Sequence, residues 1–292
     1  MYFGSVRFFK HLIVAVVLII IIFLSITAAF MIKINKNYKN QVNALEIRNT
    51  QLEQKAKFFI QTCEPIDYQT KFPNLYVNAV RHWVDSSNTV YLTFDDGPSE
   101  RTEEVLDILK EKNIKATFFV IGKEGYEEKQ LMRKIVDEGH TIGIHTYSHK
   151  YKEIYASVEA YLEDFNKIYN LIYETTNVKP EIFRFPGGSI NIYNESINYE
   201  IVAEMTRRGF TYYDWNATGA DASNSATANS ILTNAVNSSG GKDKIIMLLH
   251  DSQNKGDTVE ILPALIDSLK SKGYKFDKLT RNVKPIAFNY SE

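Results

Sequence analysis

The sequence predicts an α/β fold on a parallel sheet, either a barrel or a doubly wound sheet, behind an N-terminal transmembrane helix and a helical stalk. Three observations carry this reading. An uncharged apolar run opens the chain, and a heptad-like spacing follows it. From about Thr89 onward, short β-branched or aromatic runs alternate with amphipathic helical stretches. The 292 residues are 44% hydrophobic and 24% charged, the composition of a folded globular protein. Net charge is −1, from 34 basic and 35 acidic residues, and no basic tract occurs, so nucleic acid is not an expected partner. A single cysteine, Cys63, excludes an internal disulfide framework and a four-cysteine zinc site. Any metal must be held by histidines and carboxylates.

The anchor comes first. Leu12 to Ile32 is 21 residues without a charge, long enough to cross a bilayer as a helix. Arg7 and Lys10 precede it and Lys33, Lys36 and Lys39 follow, so flanking charge does not fix its orientation. Thr27-Ala28-Ala29 would serve as a signal-cleavage site, but the apolar run continues past it. That continuation favours an uncleaved anchor over residues 1–33. Residues 34–75 read as a helical stalk or linker. In it Val42, Leu45, Asn49, Leu52, Ala56 and Phe59 alternate at spacings of three and four. That pattern suits a stalk helix with one apolar side, or a homodimer through residues 42–59 in which Asn49 sets the register. Cys63, just beyond, reads as an incidental thiol.

Residues 76–292 read as one further domain. Its strand candidates are Val90–Phe94, Ala116–Ile121, Thr141–His145, Ile182–Phe185, Thr211–Trp215, Lys244–Leu249 and Tyr274–Phe276. Helical spacing marks Glu103–Glu111, Gln130–Glu138, Val158–Thr175, Glu195–Arg208, Ala228–Asn237 and Thr258–Lys272. Seven strands with six intervening helices imply parallel β/α units.

The residues just after each strand carry the chemistry. The first strand runs into Asp95-Asp96, the third into "HTYSH" (145–149) and the fourth into "RFPGG" (184–188). The fifth leads to Trp215 and then Asp221, and the sixth to "LLHD" (248–251). In a parallel barrel all strand C-termini share one rim, the usual place of an active site. Each piece alone has a bland reading. Asp95-Asp96 could be a turn, Arg184 a loop arginine, His250 a core histidine and Asp221 a helix cap. Together they form an inventory. His145 and His149 stand one helical turn apart, so both rings can face one metal, and a carboxylate would complete a divalent site. The remaining acid, arginine and histidine suit proton chemistry in metal-assisted hydrolysis of an amide or ester. The first strand is expected to end at Phe94, leaving both acids outside it.

In their order, "TFDDGP", "HTYSH", "RFPGG", "WNATGAD" and "LLHD" resemble the motifs of the polysaccharide deacetylases of carbohydrate esterase family 4, the NodB homology domain. The resemblance spans Thr89 to Phe276. It implies a distorted (β/α) barrel of about seven strands that removes N-acetyl groups from N-acetylglucosamine polymers. The donor set suits one divalent ion, Zn²⁺ or else Co²⁺ or another divalent ion, and the resemblance implies Asp96, His145 and His149 as its ligands. Asp95 then matches the catalytic base, Arg184 the residue that holds it, and the Gly187 N–H the oxyanion donor. His250 matches the general acid, and Asp221 the carboxylate that raises its pKa. Leu248 matches a wall for the acetyl methyl, and Trp215 joins the substrate-binding set. One departure is Ala222, where many members carry an aromatic after the motif-four Asp, and it makes Asp214 a rival to Asp221. The expected protein is a single-pass cell-membrane enzyme with an extracellular catalytic domain and peptidoglycan as substrate. The alternatives are an O-acetyl esterase acting on a polysaccharide such as xylan and a catalytically silent glycan-binding protein.

Overall fold

The computed structural model describes residues 6–62, 66–78, 82–84 and 86–288, and Cys63 lies outside them. The chain forms two compact units, Met1–Pro65 and Ile66–Glu292.

In the first unit one helix, α1 (Val6–Thr62, 57 residues), carries both the apolar run and the heptad pattern. It is about 85 Å long at 1.5 Å per residue, against the roughly 30 Å that a bilayer core requires. It is long and apolar enough to cross a membrane, and none of its most apolar window is buried within the protein. The polar groups inside that run are satisfied locally, since Ser25 Oγ donates to the Ile21 carbonyl and Thr27 Oγ1 to that of Leu24. Val42, Leu45 and Leu52 are exposed along the same helix, while the side chains of Ala56 and Phe59 lie outside the described ones.

The second unit begins with α2 (Asp67–Thr70). Then come β1 (Thr89–Asp95), α3 (Glu100–Glu111), β2 (Thr117–Ile121), α4 (Tyr126–Asp137), β3 (Thr141–Thr146), α5 (Tyr151–Ile154) and α6 (Val158–Thr176). The rest is β4 (Ile182–Phe183), α7 (Asn198–Arg207), β5 (Thr211–Tyr212), β6 (Ala217–Thr218), α8 (Ala228–Ser238), β7 (Lys244–His250), α9 (Gly256–Ser271) and β8 (Lys275–Phe276). Residues 66–75, placed with the stalk on sequence grounds, belong to this unit. The buried Arg208 donates to the carbonyls of Tyr68, Lys71 and Phe72.

All strand pairs are parallel. The order is β5-β4-β3-β2-β1-β7-β6, with β8 against the start of β1. The two edge strands, β5 and β6, are joined by only the four residues 213–216, so the sheet must curl to bring its edges together. The result is the expected distorted barrel. Period-two alternation splits the strands between two cores. Outward residues such as Val90, Leu92, Phe94, Phe118, Ile144 and Met247 pack under the helices. Inward residues Tyr91, Phe119, Ile182, Tyr213 and Ile246 pack with Leu279 and Val283 of the C-terminal segment. Three short elements were not anticipated: α2, α5 and β6. Their two to four residues are too few to show a period.

Candidate active site

The inward register of the central strands delivers the polar residues to one rim. Asp95 is the last residue of β1, aligned with Phe119 of β2 and His250 of β7. The expectation that neither acid belongs to the strand is therefore corrected for Asp95. In a continuing strand Asp96 would point into the outer core. Instead its backbone takes φ 73°, a left-handed turn that brings its side chain back towards the same rim. Asp and Asn tolerate this conformation better than most residues do.

Arg184, fully buried, organises the first acid. Its Nη1 donates to Asp95 Oδ1 (2.9 Å) and Thr93 Oγ1 (2.6 Å), and its Nε to the Tyr213 carbonyl (2.8 Å). The guanidinium lies 4.5 Å from the centroid of the Phe119 ring. A buried charge pair is stable only with its remaining hydrogen bonds satisfied, and here most of the arginine donors are.

The second acid faces the two histidines. Asp96 Oδ1 lies 3.5 Å from His145 Nε2 and 3.2 Å from His149 Nε2, and it has no hydrogen-bond partner. One ligand atom from each of the three residues falls within 4.8 Å of the others. His145 Nδ1 lies 2.9 Å from the Arg184 carbonyl, which fixes that nitrogen as the N–H and turns the Nε2 lone pair inward. Burial, followed by the neighbouring His145, pushes the His149 pKa down, towards the neutral form a metal needs. An orphaned carboxylate oxygen facing two imidazole nitrogens is the donor set of a divalent cation, and the residues fit that group. The spacing of the histidines does not come from a helical turn, however. His145 belongs to the end of β3 and His149 sits in the following loop at φ 54°. Asp164 of α6 holds that loop, accepting from the Tyr147 N–H (2.6 Å), the Ser148 N–H (2.9 Å) and Thr146 Oγ1.

His250 closes the far side. Its Nδ1 lies 2.8 Å from Asp221 Oδ1, and its backbone N–H donates to Asp221 Oδ2 (2.8 Å). Thr258 Oγ1 donates to Asp221 Oδ2, and Lys255 Nζ to the Asp221 carbonyl. Burial alone would push the imidazole pKa down. The hydrogen bond and charge of Asp221, with Asp95 and Asp96 behind it, carry it up to about 9. Asp214, the rival partner, is engaged elsewhere, accepting from the N–H and Oγ of Ser189 and the N–H of Phe288.

Asp95, Asp96, His145, His149 and His250 line one cleft of about 470 Å³, together with Gly187, Leu248, Trp215, Ala222 and Tyr151. Gly187 adopts φ 76°. Asp164 and Asp251 are among the contributors that the sequence did not single out. Asp164 carries no motif. Asp251 stands inside "LLHD", but the resemblance gives it no role; its N–H donates to the Asp95 carbonyl, and its side chain abuts Gly97.

A curled parallel sheet with an acid held by arginine, an Asp-His-His cluster and an Asp-paired histidine on one rim defines a hydrolase. The polysaccharide deacetylase family model matches residues 84–211. The chain is 34% identical to YheN of Bacillus subtilis strain 168 over 203 residues, covering 68% of this chain and 69% of that one. It is 31% identical to a peptidoglycan-N-acetylglucosamine deacetylase of Bacillus cereus over 196 residues, covering 66% of this chain and 86% of that one. Among solved structures, the catalytic domain of peptidoglycan N-acetylglucosamine deacetylase from Eubacterium rectale superposes with a TM-score of 0.68. That match has 31% identity over 73% of this chain and 99% of that one. The chain belongs to the polysaccharide deacetylases.

Proposed function

We propose that the chain is a divalent-metal-dependent N-acetylglucosamine deacetylase acting on peptidoglycan at the outer face of the cell membrane. The observation that carries the mechanism is the split between the adjacent carboxylates, with Asp95 on Arg184 and Asp96 facing His145 and His149. Asp96, His145 and His149 would hold one divalent ion, Zn²⁺ first and Co²⁺ second. When bound, that ion supplies Lewis acidity to the acetyl carbonyl and to the attacking water. Asp95, held in place by Arg184, takes a proton from the water as its oxygen adds to the carbonyl carbon. The Gly187 N–H donates to the developing oxyanion. As the C–N bond breaks, His250 gives its proton to the leaving amine, so acetate and a free sugar amine result. Asp221 keeps His250 charged until that step. Leu248 bounds the acetyl methyl and Trp215 the sugar.

The substrate is inferred from the relatives, since the B. cereus and E. rectale proteins are named for peptidoglycan N-acetylglucosamine. The location is inferred from α1, whose apolar run would anchor the chain while the rest serves as a stalk beside the wall. A substrate panel tests this reading. The full chain loaded with Zn²⁺ should release acetate in step with new primary amine from peptidoglycan and N-acetylglucosamine oligomers. It should release little acetate from O-acetylated xylan, and fractionation should find it with the membranes. Binding of glycan without acetate release, or release from xylan alone, would contradict the reading.

A further inference from the structure

Outside the cleft, one surface loop combines rigidity with exposed apolar side chains. Residues 189–194 leave the Gly187-Gly188 turn and are pinned by two asparagines. Asn191 Nδ2 donates to the carbonyls of Pro186 and Gly188, both at 3.1 Å, and its Oδ1 accepts from the Tyr193 N–H at 2.8 Å. The buried Asn194 accepts from the Asn191 N–H (2.8 Å) and donates to the Gly188 carbonyl (3.2 Å). A loop bonded to itself in this way is set before any ligand arrives. Yet it presents Ile192 at 83% exposure and Tyr193 at 42%.

Single exposed apolar residues are ordinary. Continuity with the active site distinguishes these two. The Tyr193 ring packs on Tyr151 at 5.1 Å between centroids, and Tyr151 packs on His149 at 5.2 Å and lines the cleft. Tyr151 has this place because residue 187 is glycine, where a Cβ would meet Tyr151 Cε1 at 2.8 Å. A row of rings therefore runs from the cleft floor out to solvent and ends beside Ile192.

We propose that Tyr151, Ile192 and Tyr193 form a flanking sugar subsite, a shelf for the face of the pyranose next to the N-acetyl sugar being hydrolysed. The inference rests on the deacetylase reading above. The C–H face of a β-linked pyranose is apolar while its hydroxyls project from the rim. A tyrosine ring offers the complementary surface, flat and apolar with a polar tip, at little conformational cost. Because the loop is already ordered, little ordering entropy opposes binding. Two exposed side chains also fall far short of the roughly 800 Å² per partner that a stable protein interface buries, which favours a sugar over a protein as occupant.

The test uses the full Zn²⁺-loaded chain on N-acetylglucosamine oligomers from dimer to hexamer, comparing wild type with I192A/Y193A and Y193W. Wild-type kcat/KM should rise with oligomer length. In I192A/Y193A the hexamer-to-dimer ratio of kcat/KM should fall at least fivefold, mainly through KM, and Y193W should keep a ratio near that of wild type. A ratio in the double variant equal to the wild-type ratio, with an unchanged melting temperature, would overturn the shelf while leaving the deacetylase reading intact. Absence of acetate from every oligomer with wild type would overturn that reading and the shelf with it.

Discussion

Asp95 and Asp96 are neighbours in sequence with different surroundings, one bonded to a buried guanidinium and one facing two imidazoles. The same rim shows the same logic at His250. Asp221 raises the folded-state pKa of this histidine from 6.5 to about 9 and is itself lowered from 3.8 by the hydrogen bond to His250, against the effect of its burial. A raised histidine contributes stability fully below its unfolded value of 6.5, and loses it as pH rises through about 9. The lowered Asp221 contributes above 3.8 and loses its share as pH falls through its folded value. If the protonated imidazole is the acid, activity falls on the alkaline side as His250 deprotonates. Asp221→Asn should move that alkaline limb of kcat/KM to lower pH in a pH–rate profile. A limb at the wild-type position would remove Asp221 from the proposed role. The residue types of this site were legible in the sequence, because each stands just after a strand-like run. Their fine placement was not. The left-handed turn at Asp96, the loop position of His149 and the support from Asp164 depend on backbone torsions and partners remote in sequence.

At the scale of elements, the central strands β1, β2, β3 and β7 were visible as apolar runs, and their inward register is what aims Asp95, His145 and His250 at one point. The short strands β4, β5 and β6 hold only two residues each, so β4 and β5 are shorter than the sequence suggests and β6 has no pattern to see. Register within the barrel also depends on small residues that no periodicity reveals. Gly143 of β3 faces the Phe119 ring, and a Cβ there would lie 2.7 Å from it and 3.2 Å from Ile182. Gly143→Ala should therefore destabilise the fold by about 1–3 kcal/mol through overpacking. That is a drop of several degrees in thermal unfolding for a unit of this size. An unchanged melting temperature would show that the barrel interior is looser than described.

On the scale of the whole molecule, a long helix with an apolar segment precedes a catalytic unit of the polysaccharide deacetylase family. Both were legible in the sequence, the helix from an uninterrupted apolar run and the family from five motifs in order. The boundary between them was less so, because residues 66–75 are held by Arg208 from far along the chain. The central claim is that two adjacent carboxylates divide the chemistry, one holding the ion and one taking the proton. Elemental analysis of bound zinc beside acetate release tests it directly in Asp95→Asn and Asp96→Ala. Asp95→Asn should keep about one ion per chain while losing at least about 100-fold in rate, the scale of a missing general base. Asp96→Ala should lose ion and rate together. Loss of the ion from Asp95→Asn, or a near-normal rate with it, would contradict the account.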